Sequence, residues 1–278
     1  MWILDGFFLA LGLIIGSFLN VCIARLPKSE SVVFPRSHCT QCGGAIAGYD
    51  NIPVLSYLIL RGRCRICGAG ISWQYPAVEV LTAATFVTTY WIVGVQLKTA
   101  IFLLFFSAMI VLVFIDLNHR ILPNLITLPG IVVGVICSLL APVEDGTAEF
   151  LFSVLGWSVP IPRAYSVLDS LLGAMVCGGF LWVVAELYLK IRKIEGLGFG
   201  DIKLMGMVGA FLGVRLALMT IMLGSFVGAV TGLIFIRLAG KDSRYELPFG
   251  SFLGLAAIFA ALWGQRMIQG YSQAIKGF

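Results

Sequence analysis

The chain has 278 residues, of which 59% are hydrophobic and only 12% charged, against about 25% charged in soluble domains. Lipid rather than water must therefore surround most of it, which excludes a disordered protein, a secreted disulfide scaffold and a soluble nucleic-acid binder. The formal net charge of +5 reads as cytoplasmic loop bias beside a lipid bilayer, with no nucleic-acid partner.

Residues 1–23 open without a basic n-region, as Met1-Trp2-Ile3-Leu4-Asp5, and stay apolar to Ile23. They read as a membrane span, since roughly 20 helical residues cross the hydrocarbon core. Further apolar runs lie near 77–95, 100–116, 122–141, 167–189, 202–213, 217–236 and 250–268. Backbone groups in lipid must pair within their own segment, so each run predicts a helix. The expected fold is an all-α integral membrane protein, a polytopic bundle of about eight transmembrane helices with a small cytoplasmic zinc-binding loop domain. The run at 202–213 is short and glycine-rich; it either forms a half-buried helix or merges with the next. Most of the 19 basic residues fall in 24–76, 117–121, 190–203 and 237–249, which places those segments inside and both termini outside. Three parts follow: a first span at 1–24, a folded insert at 25–76, and a membrane domain at 77–278. Gly224, Gly228 and Gly232, with Gly206, Gly209 and Gly213 nearby, read as sites of close helix packing.

The insert carries Cys39-x-x-Cys42 and Cys64-x-x-Cys67, each running on into glycine. Two such knuckles present four thiolates to one metal, and four thiolates suit a single structural zinc with no open position for water. A pair of disulfides is the competing reading, which a reducing cytoplasm disfavours. Cys22, Cys137 and Cys177 stand alone in apolar runs and read as small core residues.

Ionisable residues at membrane spans are costly and mark function. Asp116 ends one apolar run, in Phe114-Ile115-Asp116-Leu117, and Asp201 opens another, in Gly198-Phe199-Gly200-Asp201. The predicted topology puts both at the cytoplasmic membrane face. Two carboxylates sharing a site cannot both ionise easily, and such a pair can activate water without a metal. Gly198 and Gly200 leave backbone open for an extended peptide beside Asp201. Taken singly, each aspartate is equally well read as a helix-end carboxylate. Asp5 and Asp169 sit near outer span ends, Glu186 lies one turn from Lys190, and Glu79 supports either the zinc loop or a second active site.

At this point the motifs resemble a known family. GSFLNV at 16–21 with Arg25-Leu26-Pro27, RSHCTQCG at 36–43, NIPVLSYLILRGRCRICG at 51–68 and YPAVE at 75–79 are similar to the opening and cytoplasmic domain of the type IV prepilin peptidases. FIDLNHRILPN at 114–124, GLGFGDIKLM at 196–205 and LPFGSFL at 247–253 are similar to the later motifs of that family, bacterial members of the GxGD aspartyl proteases. The resemblance implies a multi-pass enzyme of the bacterial inner membrane with its active site facing the cytoplasm. It implies cleavage of prepilins and pseudopilins after a leader-terminal glycine by Asp116 and Asp201, supported by Gly198, Gly200 and Lys203. It also implies N-methylation of the new terminus with S-adenosylmethionine as donor, in the service of type IV pili or type II secretion. The family often shows Gly-Lys before its third cysteine; here the methylation-linked pair is Gly62-Arg63, and arginine does not replace lysine freely. A proton-relay transporter would want carboxylates nearer the bilayer midplane. A non-enzymatic zinc-ribbon assembly factor would leave the aspartates without a task. A presenilin-like protease would carry Tyr-Asp where this chain has Ile115-Asp116.

Overall fold

Each apolar run is helical in the computed structural model, which describes residues 2–157, 161–194, 196–239 and 247–276. In chain order the helices are α1 Trp2–Arg25, α2 Leu55–Ile59, α3 Gln74–Val93, α4 Leu97–His119, α5 Asn124–Leu140, α6 Thr147–Val154, α7 Pro162–Arg192, α8 Phe199–Ala239, α9 Phe249–Phe259 and α10 Gln265–Lys276. Among the described residues there is no strand, only two isolated β-bridges. Among the described residues six helical segments are long and apolar enough to cross a membrane, and α5 is a shorter apolar helix. Lys241 and Arg244, counted above among the inward basic residues, lie outside the described residues. The chain divides into two compact units, Met1–Ile115 and Asp116–Phe278.

In the first unit α1 and α3 run antiparallel, and the small residues of α1 decide how closely. A Cβ on Gly12 would stand 2.5 Å from Ala83 Cα, and one on Gly16 would stand 2.7 Å from Glu79 Cα. Nearer the start of α1, Phe8 stacks on Tyr90 and Asp5 accepts a hydrogen bond from the Trp91 indole. At the other end the Asn20 amide donates to the Tyr75 carbonyl at 2.9 Å. Arg25 is buried, and its guanidinium donates to the Ser31 and Pro35 carbonyls at 2.8 and 2.7 Å. The first sequence motif thus ties the start of the insert to the helix pair.

Glu79 does the same from α3. Its Oε2 accepts from the Val54 amide at 2.7 Å, and Ser17 of α1 also hydrogen-bonds to the carboxylate. Val54 holds a backbone conformation (φ 60, ψ −47) that a β-branched residue rarely adopts. Glu79 therefore anchors the insert to the helix pair. Glu79→Ala is expected to lower stability by about 1–3 kcal/mol and to hasten proteolytic nicking near residue 54. An unchanged melting temperature with unchanged nicking would remove this role.

In the second unit α8 is two helices in space. Gly213 interrupts it with φ 78 and ψ −178, a conformation open only to glycine. Beyond Gly213 the chain turns back. A Cβ on Gly224 would meet Leu253 and one on Gly232 would meet Leu247, while Leu216 lies against Gly264. Asp201, at the opposite end of the run, lies against Gly250. Both ends of α8 therefore sit at the same end of α9. The apolar runs at 202–213 and 217–236 are two antiparallel segments joined at one residue, so the short sixth run stands as its own helix. The first half of α8 packs parallel to α5 (Gly130 against Met207, Gly134 against Ala210) and antiparallel to α7 (Gly178 against Gly206, Gly173 against Gly209). The Gly173 and Gly209 backbones touch, as close small-residue packing predicts.

The break frees backbone donors that lipid cannot satisfy. Asp145 is buried, packs on Gly213 and accepts from the Arg215 amide at 2.9 Å. Asp169, also buried, accepts from the Gly146 and Ala148 amides at 3.1 and 2.6 Å. Both acids serve the turn end of the unit. Glu186 pairs with Lys190 at 3.3 Å, one helical turn apart.

Candidate active site and metal centre

Asp116 and Asp201 come together at the end of the second unit remote from Gly213. Both are buried, with 5% and 8% of their surface exposed. Gly250, in the first turn of α9, lies between them. A Cβ there would stand 3.0 Å from Asp201 Oδ1 and 3.2 Å from Asp116 Oδ2. The two oxygens are thus no further apart than those distances combined. Asp116 Oδ2 accepts from the Ser251 amide at 2.7 Å and from the Ser251 hydroxyl at 2.8 Å. The Asp201 carboxylate interacts with the Gly198 amide, and its own amide donates to the Gly198 carbonyl at 3.1 Å.

The other residues of the second aspartate motif fall nearby in different ways. A Cβ on Gly198 would lie 3.4 Å from Asp201 Oδ2, an ordinary contact. Gly200 instead faces Leu122, whose Cβ would be 3.0 Å from an added methyl, so the open face expected at this glycine is filled by a side chain of the α4–α5 loop. Lys203 does not reach the carboxylates through any bond seen here. It donates to Asn124 Oδ1 at 2.8 Å and lies over the Phe199 ring, joining the first turns of α5 and α8.

Gly250, Ser251 and Leu122 did not emerge from residue chemistry as site residues. The only signal was the LPFGSFL block, where a polar serine follows a glycine inside an otherwise apolar run. Recognising it required knowing that α9 begins where the aspartates end.

The four cysteines of the insert converge. Their Sγ atoms all lie within 4.8 Å of one another, and Cys39 and Cys67 are 3.8 Å apart. A tetrahedral metal–thiolate centre with bonds of about 2.3 Å has edges of about 3.8 Å, so the cluster can hold a metal ion. The two knuckles are copies of one another. In each, the first cysteine amide takes the carbonyl five residues on (Gly44, Ala69) at 2.9 and 2.8 Å, and its carbonyl accepts from Gly43 or Gly68 at 2.9 Å. Each is closed by a β-bridge, His38 with Ala45 and Arg63 with Gly70. Gly43 and Gly68 turn the chain at φ 68 and 70, where a side chain would be strained.

The Cys42 and Gln41 amides draw the Cys39 thiol down to about 6. At Cys67 the Ala69 amide acts downward, but burial and the three neighbouring cysteines outweigh it and push the thiol up to about 11. The Cys39 thiolate forms readily and that of Cys67 resists, as expected where negative charges meet without a cation.

Gly62 and Arg63 belong to the second knuckle. Gly62 sits on the Tyr57 ring and its carbonyl accepts from Ile71 at 2.7 Å. Arg63 is exposed. Its neighbour Arg65 forks onto Asp50, with bonds of 2.8 and 2.6 Å, and holds that carboxyl below its ordinary range. Of the free-standing cysteines, Cys22 and Cys177 are buried and Cys137 is partly so.

Residues 10–93 match the bacterial peptidase A24 N-terminal domain, and residues 103–233 match the type IV leader peptidase family. The chain is 34% identical to the prepilin leader peptidase/N-methyltransferase of Pseudomonas aeruginosa over 95% of its own length and 91% of that protein. It is 33% identical to the protein of the same name from Aeromonas salmonicida, over 99% and 96%. It is 40% identical to that of Myxococcus xanthus, over 84% of its own length and 64% of the relative. No solved structure matches the chain. With two family domains in order and relatives aligned from end to end, the chain belongs to the type IV leader peptidase family.

Proposed function

We propose that this chain cleaves the leader peptide from type IV prepilins and pseudopilins after a glycine and N-methylates the residue so exposed. Asp116 and Asp201 are the cleaving pair. What supports this most is one observation: two buried carboxylates bracket Gly250 at the start of α9. In cleavage, one carboxylate takes a proton from water while the water oxygen bonds to the scissile carbonyl carbon. The other carboxyl group gives its proton to the carbonyl oxygen. The tetrahedral diol then collapses as the proton held by the first aspartate passes to the amide nitrogen, which leaves as the new amino terminus. Burial keeps bulk water away and strengthens each of these interactions.

The functional division is residues 1–24 as a first span, 25–76 as the cytoplasmic metal-binding domain, and 77–278 as the membrane peptidase domain. Cys39, Cys42, Cys64 and Cys67 hold one structural zinc. Four thiolates close its coordination, so the metal orders the insert and takes no part in cleavage. The protein sits in the bacterial inner membrane with the aspartates at the cytoplasmic face, as the basic loops favour. Gly198, Gly200 and Lys203 hold the first turn of α8 in place around Asp201.

S-adenosylmethionine is the co-substrate of methylation, and it reaches the protein from the cytoplasm. The insert offers the exposed Arg63 beside the second knuckle. A guanidinium there would bind a carboxylate of the donor or of the pilin by a charged hydrogen bond. Arg63→Ala, with metal retained, is expected to weaken methylation roughly ten- to a hundredfold while sparing cleavage. Mass spectrometry of a co-expressed prepilin's amino terminus tests the whole reading, because cleavage and the methyl addition appear in one spectrum. An uncut leader with wild-type enzyme would end the cleavage reading, and equal loss of both steps in Arg63→Ala would remove Arg63 from methylation.

A further inference from the structure

Ser251 is buried in the first turn of α9, among Phe252, Leu253 and Gly254, where an apolar residue would ordinarily sit. Amides of a first helical turn have no partner inside their own helix. That of Ser251 makes a long 3.3 Å bond to the Pro248 carbonyl and a short 2.7 Å bond to Asp116 Oδ2. Its hydroxyl donates to the same oxygen at 2.8 Å. Asp116 therefore meets two donors and the positive end of a helix, all of which favour negative charge on it. Asp201, across Gly250, meets the Gly198 amide, with no second donor to it among the described residues.

We propose that Ser251 is the positioning residue of Asp116 and that it divides the labour of the pair: Asp116 is the base that takes the proton of water, and Asp201 is the acid that first carries the shared proton. The assignment rests on the reading of Asp116 and Asp201 as the cleaving pair. Two bonds to Oδ2 also lock the carboxylate plane, so that Oδ1 is the oxygen left to accept the proton. The cycle closes without any further reagent. Asp201 protonates the carbonyl oxygen, Asp116 passes the proton of water to the leaving nitrogen, and Asp201 recovers a proton as the diol becomes a carboxyl group. Gly250 belongs to the same device, because any side chain there would press on both carboxylates.

The test uses the full-length enzyme in membranes, a prepilin peptide substrate, and three variants. Ser251→Ala and Ser251→Gly keep the amide and lose the hydroxyl; Ser251→Thr keeps both. Loss of one charged hydrogen bond from the base is expected to lower kcat about ten- to a hundredfold in the first two, with KM within about twofold of wild type. Threonine is expected to restore kcat to within about threefold. Rates are referred to folded enzyme by thermal melts of each variant. A serine that served structure alone would change the melt and the folded amount but leave kcat of the folded fraction intact, and that result overturns the proposal. So would a loss confined to KM, or a folded threonine variant as slow as alanine. Asp116→Asn is measured alongside. If it still cleaves, the cleaving-pair reading itself has failed; if it is inactive while Ser251→Ala is fully active, only the role of Ser251 has failed.

Discussion

Asp116→Asn and Asp201→Asn are each expected to lower prepilin cleavage by about 10²–10⁴-fold, the range by which a positioned acid or base accelerates proton transfer. The double variant should be little slower than either single one, because the two carboxyl groups work as one unit and the second loss removes nothing still in use. Folding should survive. Asparagine keeps a carbonyl oxygen that can go on accepting the two Ser251 bonds now held by Asp116 Oδ2, and the volume hardly changes. Methylation of a pilin already cut should persist in both variants. The measurement is a cleavage time course on each purified variant with its melting curve beside it. Near-normal processing by a well-folded single variant would refute the pair.

The second large effect concerns the metal. Purified protein should contain about one zinc per chain, and any one of Cys39→Ser, Cys42→Ser, Cys64→Ser or Cys67→Ser should release it. Structural zinc contributes about 10–16 kcal/mol to the folding of small domains that depend on it, far more than the short helix and turns of the insert could replace. Segment 36–72 should then become sensitive to protease while the membrane helices stay folded. Because the two knuckles repeat the same hydrogen bonds, Cys39→Ser and Cys64→Ser should have closely similar effects. A brief exposure to chelator that leaves the insert intact should not slow cleavage. Metal-free protein under reducing conditions, with all four cysteines oxidised when air is admitted, would instead support a pair of disulfides.

The helices were legible because their composition leaves the backbone no other choice in lipid. The aspartates were legible because a carboxylate at the end of an apolar run is costly and conspicuous, and the cysteines because two knuckles imply one metal. The turn at Gly213 was only half legible. Arg215 separates the apolar runs at 202–213 and 217–236, but spacing alone does not say whether the chain reverses there or runs on. The placing of Ser251 was harder still. It follows from three helices meeting, and a single sequence gives spacing along the chain but not the order in which helices are stacked. Glu79 could be singled out as costly, yet its partner Val54 lies in a loop whose path depends on where the four cysteines gather it. Gly200 illustrates the opposite error. A glycine beside a catalytic candidate suggested room for substrate, and the room is taken by Leu122.

The reversal at Gly213 also bears on the lipid. The first half of α8, from Phe199 to the break, has about 14 residues, or ~21 Å at the usual helical rise. Its neighbour α5 has 17 residues, and both fall short of a hydrocarbon core about 30 Å thick. The half-helix is buried in the protein, so the bilayer meets α5, and it must become thinner beside that short helix or let water in over its ends. Either response brings the aqueous boundary down toward Asp201, at the base of the shorter helix. A hydrophobic substrate could then present its scissile bond to water while the rest of it remained in the membrane, and the reach of the enzyme would depend on membrane thickness. Lipids with longer acyl chains, by resisting that local thinning, should slow an enzyme whose chemistry they never touch.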